Sequence, residues 1–306
     1  MQEYLSRFAR EASRLARTAV AISPALLYAA CGGGTPTGPN ITPTPTPTPV
    51  YKVHVSGQVK GTFSRNPIAN YDLKIDNAEV PHSADGYSAD VETGSRVITV
   101  TSPDAMLPRE TRATFTADAQ FDVYILERGS GFNIAHYRQV ALGVESGGRS
   151  YRFRHGVNPR VVFVRTGAPE GTEWMAQNAA NEIGRITGNI LRPSFETVDV
   201  APALSEGMIL VKYDTSATGG LTGINTAADY LINSANVIFP LRWNNSSSAL
   251  LEKHEITGHG IGLDHSPDGI MNPSCGVCDI TQDDVQSATL KYSRNPGHEL
   301  SSADKD

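Results

Sequence analysis

The chain has 306 residues, 39% hydrophobic and 19% charged, and carries a formal net charge of −6. This is the composition of an ordinary soluble globular protein, long enough for about two domains of ~100–200 residues plus extensions. No basic run occurs outside the N-terminal segment, which argues against nucleic acid as a partner.

Residues 1–30 read as a targeting segment. Arg7, Arg10, Arg14 and Arg17 form a positive region, and Thr18 to Ala30 form a mainly apolar run ending in small residues. That run is short of the ~20 residues needed to span a bilayer. Cys31 follows directly in Leu27-Tyr28-Ala29-Ala30-Cys31-Gly32, which resembles a bacterial lipoprotein lipobox, with Tyr28 where leucine is usual. The resemblance implies lipidation at Cys31, a membrane partner through that anchor, and an exported, envelope or cell-surface location. Plain secretion and an Arg-rich organelle transit peptide are the rival readings. Residues 31–49 are low in complexity and dominated by Thr-Pro repeats through Pro49. Proline favours extended polyproline II, so this stretch is expected to be a semi-rigid tether.

From residue 50 to about Glu127 short β-rich runs alternate with turn formers. The strands expected are Val53–Val55, Leu73–Ile75, Arg96–Val100 and Phe121–Ile125, with turns at Asp85-Gly86 and Thr93-Gly94. No long helical period intervenes, so residues 50–156 are expected to hold an all-β sandwich. The layout resembles carboxypeptidase-regulatory-like modules, with Val55–Val59 opening the first strand and Ala84-Asp85-Gly86-Tyr87 as a central turn; an Ig-like sandwich is the alternative. Two further β-prone runs, Ile134–Val140 and Tyr151–Phe153, either complete the sandwich or bridge to the next domain.

Residues 157–306 are expected to form a second, α+β domain. Val161–Val164 reads as a buried strand, and Glu173–Ile190 as a helix with Trp174, Ala179, Ile183 and Ile186 at helical spacing. Strands are expected at Glu196–Val200, Met208–Tyr213 and Val237–Leu241, with a Gly- and Thr-rich loop over Asp214–Thr226. That loop offers Asp214 and many carbonyls for a structural calcium ion, although a solvated loop accounts for it as well. Ser246-Ser247-Ser248 supply N-cap hydroxyls for the next helix, and Thr281-Gln282-Asp283-Asp284 a second helix start. Val285, Ala288, Leu290 and Tyr292 would form the packing face of that last helix.

The chemistry is concentrated in His254-Glu255-Ile256-Thr257-Gly258-His259-Gly260-Ile261-Gly262-Leu263-Asp264-His265, which holds three of the chain's eight histidines. Three imidazoles can hold one zinc ion and leave a fourth position for water. A neighbouring carboxylate can take that water's proton. The stretch resembles the signature of the metzincin zinc peptidases, H-E-x-x-H-x-x-G-x-x-H followed by a methionine turn. His259, Gly262 and His265 match its second half, Ser266 is similar to the matrixin branch, and Met271 in Gly269-Ile270-Met271-Asn272-Pro273 resembles the methionine turn. The resemblance implies one zinc ion on His254, His259 and His265, with Glu255 as general base, acting on a protein or peptide substrate. It further implies that the strand just upstream of the metal helix, Val237–Leu241, pairs with an extended substrate. Matrixins often carry a latency cysteine in a pro-segment; no cysteine lies between Cys31 and Cys275.

One residue departs from the pattern. His254 and His259 are five apart, not four. On a regular helix that separates their side chains by roughly 140° instead of roughly 40°. A single-turn π-bulge would absorb the extra residue, and Gly258 sits where it would fall. The dipeptidyl-peptidase III family, whose motif reads H-E-x-x-G-H, is similar here. In the alternative, a straight helix makes Glu255 and His259 the ligand pair and leaves no general base. Cys275 and Cys278 follow the methionine turn as Cys-Gly-Val-Cys, and in an exported protein a local disulfide is the first reading. Two rivals to a peptidase stand: a surface lipoprotein that holds zinc without turnover, and a zinc hydrolase of a non-peptide amide.

Overall fold

The computed structural model describes residues 51–143, 148–241, 246–274 and 279–306. The targeting segment, the tether, Cys31, Cys275 and Cys278 lie outside the described residues.

The first part of the described chain is built of short strands. They are β1 (Lys52–Gly57), β2 (Val59–Gly61), β3 (Asp72–Ile75), β4 (Ala78–Glu79), β5 (His82–Ser83), β6 (Gly86–Glu92), β7 (Gly94–Thr101), β8 (Arg109–Phe115), β9 (Ala119–Gln120) and β10 (Val123–Ile125). Alternation along them sends every second residue inward, as with Val53 and Val55 of β1 and Leu73 and Ile75 of β3. One sheet runs β5-β6-β1-β9, and another contains β8-β7-β3-β4. Val53, Val55, Tyr87 and Val91 from the first meet Leu73, Ile75, Ile98, Val100 and Phe115 from the second in one hydrophobic core. Asp76 and Asn77 take positive φ at the tight β3–β4 turn, a conformation that Asp and Asn tolerate better than most residues.

That core ends at Ile125, and a second begins at Leu126. Ile134–Val140, a run whose β-prone residues suggested a strand, is an α-helix, α1. Local chemistry decides it: Asn133 caps the helix by accepting from the His136 amide at 3.1 Å, and His136, Tyr137 and Val140 share the buried face. β11 (Arg152–Phe153) pairs with a strand of the second sheet, so neither segment completes the first core.

The second sheet contains β12 (Arg160–Val164), β13 (Ser194–Val198), β14 (Met208–Asp214), β15 (Leu221–Thr226) and β16 (Leu231–Pro240). β13, β12, β14 and β16 run parallel in that order, and α2 (Thr172–Ile186) makes the crossover from β12 to β13. Ala176, Ala179, Ala180 and Ile183 form the buried stripe of α2 at helical spacing. The helix ends four residues before the expected Ile190, because Gly188 and Asn189 turn left-handed.

Two expectations are corrected here. Leu221–Thr226 is not loop but strand β15, antiparallel to β16. Its β-branched and apolar residues pair with the longer strand after a turn through left-handed Asp229 and Tyr230. Consequently β16, which includes Val237–Pro240, is interior, with β14 and β15 both bonded to it. Among the described residues β15 pairs only with β16, so β15 presents an open strand edge, as β13 does at the far side of the sheet.

α3 (Ser246–Glu252) then leads into the histidine stretch, and α4 (Gln282–Ser293) follows it. Thr281 caps α4 in a capping box with Asp284, as its sequence implied. Ala288, Leu290 and Tyr292 are buried and Val285 is half-buried. Finally β17 (Glu299–Leu300) and β18 (Asp304–Lys305) form a hairpin whose second strand runs parallel to β8. The end of the described chain thus adds to a sheet of the first core.

Candidate metal centre

The helix carrying His254 does not continue as an α-helix. Lys253–Gly258 is a π turn, followed by a 3₁₀ turn at His259–Ile261. The His259 amide bonds back to Glu255 O, four residues behind, and also to His254 O, five behind. The five-residue bond takes up the extra residue and brings His254 and His259 to the same side. The straight-helix alternative, with Glu255 and His259 as the pair, is not the arrangement found.

Gly262 supplies the reversal that returns the third histidine, with φ of +79°. That left-handed backbone suits glycine, and a Cβ there would stand 2.7 Å from Ile232 Cδ1. Beyond it His265 comes back over the first two. The ring centroids lie 4.7 Å apart for His254–His259, 5.3 Å for His254–His265 and 4.7 Å for His259–His265. One nitrogen from each ring falls within 4.8 Å of the others, and His259 Nε2 is 3.1 Å from His265 Nε2.

The second nitrogens of two rings are already engaged. His254 Nδ1 is 2.6 Å from Ile270 O, and His259 Nδ1 is 2.7 Å from Leu263 O. A carbonyl can only accept, so each Nδ1 carries the proton and each Nε2 keeps its lone pair for a ligand role. Burial lowers the pKa of His254. Burial, with the other two imidazoles beside it, lowers His259 to about 3. Neutral imidazole is the form that binds metal. Nitrogen ligands ~2.1 Å from a tetrahedral zinc ion stand roughly 3.4 Å from one another, a spacing the cluster can reach by small ring rotations. The three residues therefore fit a metal ion, and among the described residues they are the one group of this kind.

Glu255 lies beside this cluster without joining it. Its carboxylate accepts from Thr222 Oγ1 at 2.6 Å, and the same hydroxyl is 3.2 Å from the Glu255 carbonyl. Burial raises the Glu255 pKa, while the Thr222 bond and nearby His265 work in the opposite direction. Gly220 gives the carboxylate room, since a Cβ there would meet Glu255 Oε1 at 2.6 Å. Met271 is fully buried, with its sulfur packed against Gly258 of the π turn. The amide of its chain neighbour Ile270 donates to Asp284 at 3.1 Å, which ties the loop to α4.

Glu255, His259 and His265 open on a cleft of about 940 Å³ that Leu221, Thr222 and Ile224 of β15 border on one side. Leu142, Leu263 and the exposed Arg138 of α1 line it too. The sequence reading missed Thr222, Gly220 and the α1 residues. The Leu-Thr-Gly-Ile-Asn-Thr run carried the strand signal for Thr222, but Gly219, Gly220 and Gly223 masked it. Nothing local marked Arg138. Asp214, the residue weighed for calcium, spends Oδ1 on the Ser216 amide and hydroxyl, each at 2.8 Å. No protein-family model matches the chain, and no curated protein matches it.

Proposed function

We propose that the chain is a zinc-dependent endopeptidase of metzincin-like, matrixin-like character, with a π-turned H-E-x-x-G-H-x-x-G-x-x-H site. The observation that carries this is the convergence of three imidazoles beside a buried carboxylate, in a cleft bordered by an open strand edge. His254, His259 and His265 would hold the ion. Bound there, zinc supplies Lewis acidity to a carbonyl and lowers the pKa of water toward neutrality.

The remaining work falls to the chain's own groups. Glu255 takes the proton from the attacking water and passes it to the leaving amine. Its burial favours the protonated form needed for the second transfer, and Thr222 fixes which way the carboxylate faces. The open edge of β15, not the interior strand β16, is the element able to bind an extended peptide backbone. Exposed Leu221 and half-exposed Ile224 then offer apolar contact to substrate side chains. The two-sheet first part supports a carboxypeptidase-regulatory-like or Ig-like sandwich acting as a spacer or adhesion module. Cys31 and the Thr-Pro tether support export with a lipid anchor.

The test is zinc content and casein hydrolysis of the protein beside its Glu255→Gln variant. The reading expects one zinc in both and cleavage only by the parent. Zinc bound in both without cleavage of casein by either would replace it with a zinc-holding adhesion protein. Hydrolysis of small amides but not casein would replace it with a non-peptide hydrolase.

A further inference from the structure

Two of the three histidines ride on the helical turns, but His265 sits beyond the Gly262 reversal, on irregular backbone, and is the most exposed of the three. Its position therefore depends on whatever holds that reversal. Two consecutive residues of α4 do so. Tyr292 Oη donates to Ile261 O at 2.9 Å, and Lys291 Nζ donates to Gly262 O. α4 is in turn fixed by Arg152, whose Nη1 donates to Tyr292 O at 2.7 Å. On the far side, the Asp264 amide bonds to Val140 O at 2.7 Å.

Lys291 is the unusual member. Its side chain is completely buried, a place lysine almost never occupies without a specific partner. An apolar side chain would fill the same space without the desolvation penalty of an ammonium. What the ammonium adds is a charge-assisted donor to the carbonyl at the apex of the reversal, which the turn leaves without a helical partner. Burial lowers the pKa of the amine to about 7 with Arg152 acting the same way, and Asp264, the residue before His265, supplies the negative charge that favours the ammonium against them. Gly262 has no side chain to intrude: a Cβ there would stand 3.3 Å from Lys291 Nζ.

We infer that Lys291, assisted by Tyr292, is a positioning residue for the metal centre, holding the Ile261–Gly262 carbonyls so that His265 is delivered to His254 and His259 before any ion arrives. This rests on the reading of the three histidines as a metal site. Partners that orient metal ligands from behind typically alter affinity by ~10–100-fold when removed, and Lys291 is assigned an effect of that size.

The experiment is zinc affinity of the full chain, by competition with a chromophoric chelator, for the parent, Lys291→Met, Tyr292→Phe and a control, Leu290→Ala. Methionine keeps the length of lysine and removes the ammonium. Leu290 is a fully buried neighbour on the same helix, and its truncation reports general loosening. Lys291→Met is expected to bind zinc roughly 10–100-fold more weakly, Tyr292→Phe to lose less, and Leu290→Ala to stay within about threefold. An affinity of Lys291→Met no weaker than that of Leu290→Ala at equal loss of melting temperature would overturn the inference while leaving the metal reading intact. A parent that binds no zinc would overturn both. Should Lys291→Met not fold, hydrogen exchange of the metal-free parent decides: amides of residues 259–265 are expected to be protected before zinc is added. Free exchange there until zinc arrives would sink the idea.

Discussion

Gly258 closes the π turn directly over Met271: a Cβ on the glycine would stand 2.1 Å from the methionine sulfur. The thioether thus occupies the space that any side chain at residue 258 would need. The extra residue in the motif and the methionine loop are consequently one packing unit.

Gly258→Ala must push Met271 aside or unwind the turn. Overpacking of this kind costs about 1–3 kcal/mol. The variant is expected to melt earlier and to bind zinc more weakly. Adding Met271→Ala should recover part of the zinc affinity, a non-additivity expected of residues in contact. Urea unfolding and zinc titration of the two single variants and the double variant check this.

Thr222→Val keeps the shape of the side chain and removes the hydroxyl bonded to Glu255. Hydrogen bonds to charged groups contribute ~1.5–3 kcal/mol, so the expected fall in kcat is roughly tenfold to hundredfold. Zinc content should be unchanged, and Thr222→Ser should retain most of the rate. A loss in Thr222→Ser with none in Thr222→Val would mean that the methyl, not the hydroxyl, matters.

Glu252 is buried, and burial raises its carboxyl from 4.5 to about 8, against the opposing bond from Tyr213 Oη. Between those values the folded protein holds a proton that the unfolded chain has released. Stability should therefore fall as pH rises through that window, by at most ~1.4 kcal/mol per pH unit from this group. Glu252→Gln resembles the protonated acid and should flatten the decline between pH 5 and 7. Melting temperatures of both proteins across that range give the answer.

Asp304 lies fully buried among Arg294, Arg109 and His298, with Nε of Arg294 at 2.9 Å and Nε2 of His298 at 2.8 Å. Burial alone would raise its carboxyl, but the two guanidiniums overcome that and hold it far below its ordinary 3.8. A depressed carboxylate stabilises the fold above its unfolded value and loses that contribution as pH drops below it. Asp304→Asn takes the carboxylate partner from buried Arg294, while Arg109 keeps Asp306, and should cost about 3–5 kcal/mol at pH 7. The gap between variant and parent should narrow at pH 3, which denaturant unfolding at the two values measures.

How far these features could be read in advance varied with the physics behind each. Two of the parallel strands were legible as strands because Val161–Val164 and Met208–Val211 are continuous apolar runs, the mark of strands buried on both faces. The histidine cluster was legible from its motif, but the spacing left a π turn and a straight helix both open, and the backbone bonds of His259 to Glu255 O and His254 O decide for the π turn. β15 was hidden because Gly219, Gly220 and Gly223 signal a loop, whereas pairing with β16 and room for Glu255 decide the outcome. α1 was hidden because Ile134, Tyr137 and Val140 favour strands in isolation, and the Asn133 cap and second core override that preference. Lys291 stands between two packing residues and nothing in the sequence singled it out; the path of the 261–262 turn gives it its partner.

The bond from Arg109 to Asp304 also sets a timetable. It joins residues 195 positions apart, across nearly the whole second core. At ~5–20 residues per second, about 10–40 seconds of translation separate the two ends of that contact. Throughout that interval β8 waits with an uncovered edge and a buried-to-be guanidinium still in water. The sheet that holds β8 can therefore gain its β18 neighbour only after the histidine stretch has been made.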